Sequence, residues 1–161
     1  MIQYVIIEKK FFKTNIYLMI ICTRKLEFDS AHRVMEHESK CKMLHGHRYV
    51  VEASFGAKEL DKIGRVIDFG VIREILGKWI DDNFDHTTIL NEKDKNLGEN
   101  ISQITGQKIY YMAENPTAEN IAKHLLQDIC PQLFVNYPIK CVGIKVYETP
   151  NCSAQIGIIH E

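Results

Sequence analysis

His45-Gly46-His47 sets two imidazoles two residues apart. On an extended strand that spacing puts both on one side, about 7 Å apart along the backbone, near enough to grip a single ion. His32, on the apolar side of an earlier alternating segment, can supply a third nitrogen. Three histidines favour zinc or a similar borderline metal, and three protein ligands leave a fourth position open, as in catalytic rather than structural sites. A lone histidine is more often an ordinary hydrogen-bonding side chain; two on one face with a third on an adjacent inward face shift the reading to a metal. Cys41 stands four residues before His45, between Lys40 and Lys42. A divalent cation and basic neighbours would ease the loss of its proton and suit it as a base. Asp85-His86 offers an acid that can orient a ring, although the same pair also suits a helix end. Glu148 ends an otherwise apolar row made by Val142, Ile144 and Val146, where a strand-end surface acid is the plainer alternative.

The elements that must position these residues follow from periodicity. From Arg24 to Val34 the chain alternates, with Leu26, Phe28, Ser30 and His32 on one face, the period of a half-buried strand that begins near Met19. His45 to Phe55 repeats the pattern, with His45, His47, Tyr49, Val51, Ala53 and Phe55 inward. The polar stretch from Met35 to Leu44 reads as the loop of an antiparallel pair. Asp68 suits the N-cap of a helix whose buried stripe is Val71, Ile72, Ile75, Leu76, Trp79, Ile80 and Phe84. A second helix is expected to open at Asn115-Pro116-Thr117, with Asn as cap, Pro first in the helix, and Ile121, Leu125, Leu126 and Ile129 buried. The segment from Glu92 to Glu114 is weakly patterned apart from a short strand candidate at Lys108 to Met112. Strands at Ile139 to Thr149 and Ala154 to Ile159, joined by Pro150-Asn151, complete an α+β domain with an antiparallel sheet and two helices on one face.

Composition narrows the function classes. The chain has 161 residues, 45% hydrophobic and 25% charged, the profile of one globular domain. Twenty basic against 21 acidic residues leave a net charge of -1, too balanced for a protein whose main task is neutralising a polyanion, so no nucleic-acid partner is expected. Five cysteines without a C-x-x-C pair argue against a disulfide framework and for a reducing, cytoplasmic home. The apolar run Ile16 to Cys22 falls short of the roughly 20 residues that span a bilayer, and Thr23-Arg24-Lys25 follows where a cleavage site would stand. The reading is therefore an extension over residues 1–18, one domain over 19–161, and no membrane partner.

Phe28-Asp29-Ser30-Ala31-His32, Cys41-Lys42-Met43-Leu44-His45-Gly46-His47, Asp85-His86, Pro116-Thr117-Ala118-Glu119-Asn120 and Val146-Tyr147-Glu148-Thr149 together resemble the 6-pyruvoyltetrahydropterin synthase and 6-carboxytetrahydropterin synthase family, from about Arg24 to the C-terminus. The three residues between Cys41 and His45 resemble the carboxy branch, which feeds queuosine and 7-deazaguanine synthesis. The resemblance implies a tunnelling fold, subunits joining sheets into a barrel, and a homohexamer with sites between subunits. It implies 7,8-dihydroneopterin triphosphate as substrate, and 6-carboxytetrahydropterin, acetaldehyde and triphosphate as products. By the same likeness His32, His45 and His47 hold Zn2+, Cys41, Asp85 and His86 transfer protons, and Glu148 anchors the pterin, with Thr117 and Glu119 as further substrate contacts. A carboxylate suits that anchor, since it accepts two parallel hydrogen bonds from the N–H and amino donors of a 2-amino-4-oxopyrimidine. Arg33, Lys40, Lys42 and Arg48 are the available cations for a triphosphate. The alternatives are the pyruvoyl product, with the side chain retained, and a non-catalytic pterin-binding assembly. Residues 92–114 and the extension are longer than in compact members, and Thr87-Thr88 replaces the more basic or aromatic residues often found there.

Overall fold

The computed structural model describes residues 19–157. The expected extension, His160 and the end of the last strand at Ile158 and Ile159 lie outside the described residues. Two long strands form the spine: β1 (Ile20–His32) and β2 (His45–Ala57) run antiparallel in register from Ile20↔Ala57 to His32↔His45. The alternation read from the sequence holds along both. Leu26, Phe28, Ser30 and His32 are buried, as are Tyr49, Val51, Ala53 and Phe55, while Lys25, Glu27 and Arg48 face the other side.

The first helix, α1, covers 69–83 and widens through a π-helical stretch at Arg73–Gly77. Asp68 caps it as expected, its carboxylate accepting from the Gly70 amide at 2.7 Å. Ile72, Leu76, Ile80 and Phe84 are fully buried against the inward row of the sheet. Helix α3 covers 118–133, with its own π-helical stretch at Leu125–Ile129, and buries Ile121, Leu125 and Ile129 in the same core. Its cap corrects the sequence expectation. Thr117, not Asn115, is the N-cap, its hydroxyl accepting from the Asn120 amide at 3.3 Å, and Pro116 stands outside the helix. Pro fits there because it restricts the chain just before the turn, while the Asn115 side chain is engaged elsewhere.

Between these helices lie three elements that the sequence reading left unassigned or glimpsed in part: β3 (Thr87–Asn91), α2 (Lys95–Thr105) and β4 (Ile109–Met112). β5 (Lys140–Thr149) and β6 (Cys152–Gly157) complete a six-stranded sheet of order β4-β3-β1-β2-β5-β6. The sheet is mixed rather than wholly antiparallel. β3 pairs parallel with β1 and β4 parallel with β3, because α1 and α2 carry the chain back across before each strand. Every residue of β3 is buried, as expected for a short strand with parallel neighbours on both edges. α2 ends at Gly106, whose φ of 73° gives the left-handed turn that closes a helix.

The core is one continuous cluster between the inner sheet face and the helices α1 and α3. Phe28 stacks on Tyr49 with ring centroids 4.9 Å apart, and Phe55 meets Phe134 at 4.6 Å. Each such aromatic or aliphatic side chain, fully buried, contributes about 1.5–3 kcal/mol. Among the described residues, no helix is long and apolar enough to cross a membrane.

Candidate functional site

The register of β1 and β2 makes the cluster. Because His32 pairs with His45, the last inward residue of β1 meets the first of β2, and His47 follows one inward step along. The three ring centroids lie 4.5, 5.1 and 4.9 Å apart, and one nitrogen from each ring falls within 4.8 Å of the others. His32 Nε2 and His45 Nε2 approach to 3.1 Å.

Two of the rings are held by backbone carbonyls. His32 Nδ1 donates to the Pro116 carbonyl at 2.7 Å, and His45 Nδ1 donates to the Met43 carbonyl at 2.7 Å. With Nδ1 carrying the proton, Nε2 presents its lone pair to the centre of the cluster, the orientation that metal-bound histidines receive from such partners. Burial pushes His32 down to about 4, against the smaller opposing effect of the Pro116 bond, so it is neutral near pH 7. Burial also lowers His47, with the nearby Glu148 carboxylate pulling the other way. Imidazoles whose Nδ1 is fixed on a carbonyl, as in His32 and His45, fit a borderline divalent cation.

Glu148 continues the inward row of β5 after Ile144 and Val146, one step past the Val50↔Tyr147 pair, and its charge reaches both His47 and Tyr49. It is half-buried rather than a surface acid. Tyr49 is a residue that sequence reasoning placed only in the core. Its ring packs edge-on against His32 and His47, at 5.8 and 5.5 Å, and its buried hydroxyl has no hydrogen-bond partner among the described residues. Burial, reinforced by Glu148, drives its hydroxyl well above the usual tyrosine range. Its position on the row of His45 and His47 was the available signal.

Cys41 lies in the short turn Lys40–Lys42 of the loop that joins the two strands at the histidine end, with its carbonyl accepting from the Val34 amide at 2.9 Å. Lys40 and Lys42 on either side are exposed. The other two cations are engaged: Arg33 pairs with Asp94 at 2.5 Å and Arg48 with Asp29 at 2.6 Å.

Asp85 and His86 take a different position. Asp85 Oδ1 accepts from the Asp29 amide at 2.9 Å, its Oδ2 accepts from His86 Nδ1 at 2.7 Å, and the His86 amide donates to the Asp29 carbonyl at 2.7 Å. His86 adopts φ 53°, the left-handed turn after α1. Its bond to Asp85 raises the His86 ring above its ordinary value, and Asp29 adds to this. Burial raises Asp85, but the Asp29 amide and His86 outweigh it and hold the carboxyl below its usual range. The ring is exposed beside Asp29 and Arg48, residues of the outer side of β1 and β2, and helps line an open cleft of about 450 Å³. Within one chain, therefore, the Asp85–His86 pair stands with the outward residues of β1 and β2 and the three imidazoles with the inward ones, and of the imidazoles His47 also borders this cleft. Thr117 caps α3 immediately after Pro116, and Glu119 is exposed in the first turn of that helix.

Residues 21–157 match the family model described as 6-pyruvoyl tetrahydropterin synthase. The chain belongs to that family. It is 55% identical over 138 residues to a protein of Rickettsia conorii named 6-carboxy-5,6,7,8-tetrahydropterin synthase, which covers 86% of this chain and all of the relative. A Haemophilus influenzae protein of the same name is 28% identical, across 82% of this chain and 94% of its own. Among solved structures, an uncharacterized protein from Wolinella succinogenes superposes with a TM-score of 0.72 at 21% identity, covering 87% of this chain and 98% of that one. A 6-pyruvoyltetrahydropterin synthase of Plasmodium vivax gives 0.65 at 16%, covering 88% and 99%. The curled mixed sheet with its helices is thus the tunnelling fold of this family, and the chain is a lyase of the pterin-synthase kind.

Proposed function

We propose that the chain converts 7,8-dihydroneopterin triphosphate to 6-carboxy-5,6,7,8-tetrahydropterin, acetaldehyde and triphosphate, in the route to queuosine and related 7-deazaguanines. The observation that carries this reading is the convergence of His32, His45 and His47 beside the inward carboxylate Glu148. The high identity to relatives named for the carboxy product supports that branch.

His32, His45 and His47 would hold Zn2+ through Nε2 of the first two and one ring nitrogen of the third. When bound, the ion polarises side-chain oxygens of the substrate and makes the adjacent C–H protons more acidic. Cys41, as thiolate, removes one of those protons at Sγ. His86 keeps Nδ1 on Asp85 and uses Nε2 to deliver or accept a proton elsewhere on the same side chain. Glu148 accepts from the ring N–H and amino group of the pterin through two parallel hydrogen bonds. Thr117 and Glu119, at the start of α3 just after the Pro116 carbonyl that holds His32, are assigned to substrate contact. Lys40 and Lys42, exposed beside Cys41, are the free cations suited to the triphosphate.

Because Asp85–His86 stands with the outward residues of its own chain and the imidazoles with the inward ones, a site using both takes the pair from a second copy, which supports a homo-oligomer, a hexamer by family likeness. The balanced charge supports the absence of a nucleic-acid partner, and the unpaired cysteines support a cytoplasmic location.

The deciding experiment is product analysis by mass spectrometry on 7,8-dihydroneopterin triphosphate, with zinc added and with zinc chelated. Zinc-dependent acetaldehyde and carboxypterin are expected. A retained three-carbon side chain assigns the pyruvoyl reaction instead, and tight pterin binding without turnover assigns a binding protein.

A further inference from the structure

The stretch Asn115-Pro116-Thr117 holds two parts of the site at once. The Asn115 side chain grips the Met35 backbone at both polar groups: Oδ1 accepts from the Met35 N–H at 3.1 Å, and Nδ2 donates to the Met35 carbonyl at 2.9 Å. One residue later, the Pro116 carbonyl accepts from His32 Nδ1 at 2.7 Å. Asn115 is itself pinned, since its carbonyl accepts from the Thr117 amide at 2.8 Å and from the Asn120 side chain at 2.9 Å. On the other side of the clamp, Val34, the neighbour of Met35, donates to the Cys41 carbonyl at 2.9 Å. A hydrogen-bonded path thus runs from the start of α3 through Met35 and Val34 to Cys41.

The loop needs such a tie. Residues 33–44 contain only a reverse turn at Met35–Glu36 and the three-residue turn Lys40–Lys42, and segments of that kind open locally unless something outside them holds them. Only a side-chain amide sets an acceptor and a donor side by side to match the C=O and N–H of one peptide residue. Aspartate lacks the donor; leucine, of similar size, lacks both.

We propose that Asn115 is a positioning residue: by clamping Met35 while its neighbour Pro116 holds His32, it sets the distance between the Cys41 loop and the imidazole cluster. This inference rests on Cys41 acting as the proton-transfer thiol. Asn115 touches neither substrate nor metal.

The test uses the full chain loaded with zinc and compares Asn115→Leu and Asn115→Asp with the parent. A misplaced thiol costs about 10- to 100-fold in kcat. The expected Asn115→Leu result is a loss of that size, with KM and zinc content unchanged. Its rate of Cys41 carbamidomethylation by iodoacetamide, read on the Cys41 peptide by mass spectrometry, should differ from the parent's. Asn115→Asp, which keeps the acceptor, should fall between the two. In a Cys41→Ala background, Asn115→Leu should add no further loss, as expected for two residues acting through one group. Parent-like kcat and parent-like alkylation in Asn115→Leu overturn the proposal, as does a loss that persists undiminished in the Cys41→Ala background. Zinc lost in proportion to activity also overturns it, since the clamp would then serve only His32. Should Asn115→Leu fail to fold, Asn115→Asp carries the same comparisons. Full activity of Cys41→Ala removes the thiol assignment itself, whereas unchanged alkylation removes the clamp, so the two failures are distinguishable.

Discussion

On the proposed reading Cys41 and His86 divide the proton chemistry, and each makes a separable demand. Cys41→Ala leaves the three imidazoles untouched, so zinc content measured by plasma mass spectrometry should match the parent while turnover falls by about 100-fold or more, the scale of a lost acid–base group. Equal turnover would reassign the base. His86 is raised by Asp85, and Asp85 is lowered by the Asp29 amide and by His86 against the opposing effect of burial. The signs follow directly. A ring whose folded pKa lies above its ordinary 6.5 is stabilised most below that pH and loses the benefit as pH rises through the folded value. The carboxyl, held below its ordinary 3.8, keeps its benefit above that pH and loses it as pH falls through the folded value. Between those limits the ion pair is complete. Replacing Asp85 with Asn should bring the His86 titration, followed by proton NMR, back down toward the ordinary value; an unmoved titration would show that Asp29 dominates instead.

At the scale of elements, the candidate site is a meeting of three strand ends and one helix start. β1 and β2 deliver the imidazoles, β5 delivers Glu148, and the segment before α3 fixes His32 and, on our proposal, the Cys41 loop. α1 contributes differently: it buries Ile72, Leu76 and Ile80 behind the sheet and ends at the turn that presents Asp85–His86. Removing its cap with Asp68→Ala should cost about 0.5–2 kcal/mol in chemical denaturation. That variant should bind zinc as the parent does, because Asp68 touches only the helix start and Arg65. A loss of zinc with a normal denaturation midpoint would contradict this division of labour. The elements that periodicity displayed were β1, β2, α1, α3 and β5, each with several turns or alternations of pattern. β3 escaped because Thr87-Thr88-Ile89-Leu90-Asn91 is too short to show a period and is buried throughout. α2 escaped because its apolar positions are few and Ile104 faces outward, 81% exposed.

For the whole molecule, the placement of one functional group with the outward residues of β1 and β2 and the other with the inward ones sets a requirement on assembly. If the Asp85–His86 pair of one copy completes the imidazole site of another, then Cys41→Ala and His86→Ala, each inactive alone, should regain part of the activity when co-expressed. The combination can assemble one intact site from two defective chains. Light scattering should report an oligomer for the parent and for both variants. Mixed variants that stay inactive in a verified hetero-oligomer would place the pair in the same chain's site.

The order of residue types along the chain was sufficient for the family likeness, the inward histidines and the α+β fold class, because strand alternation and helix stripes are local patterns written in neighbouring residues. Sequence order also marked Glu148, as the acid at the end of an apolar row. Only the tertiary structure decided how those groups are held, through the Pro116 carbonyl on His32 and the Asn115 clamp on Met35, and that the Tyr49 hydroxyl stands beside the rings without a partner among the described residues. Asn115 and Met35 are 80 residues apart, and β1 lies between β2 and a parallel β3 that follows α1. Contacts at that separation depend on how strands are ordered in the sheet, and no periodicity along the chain encodes that order.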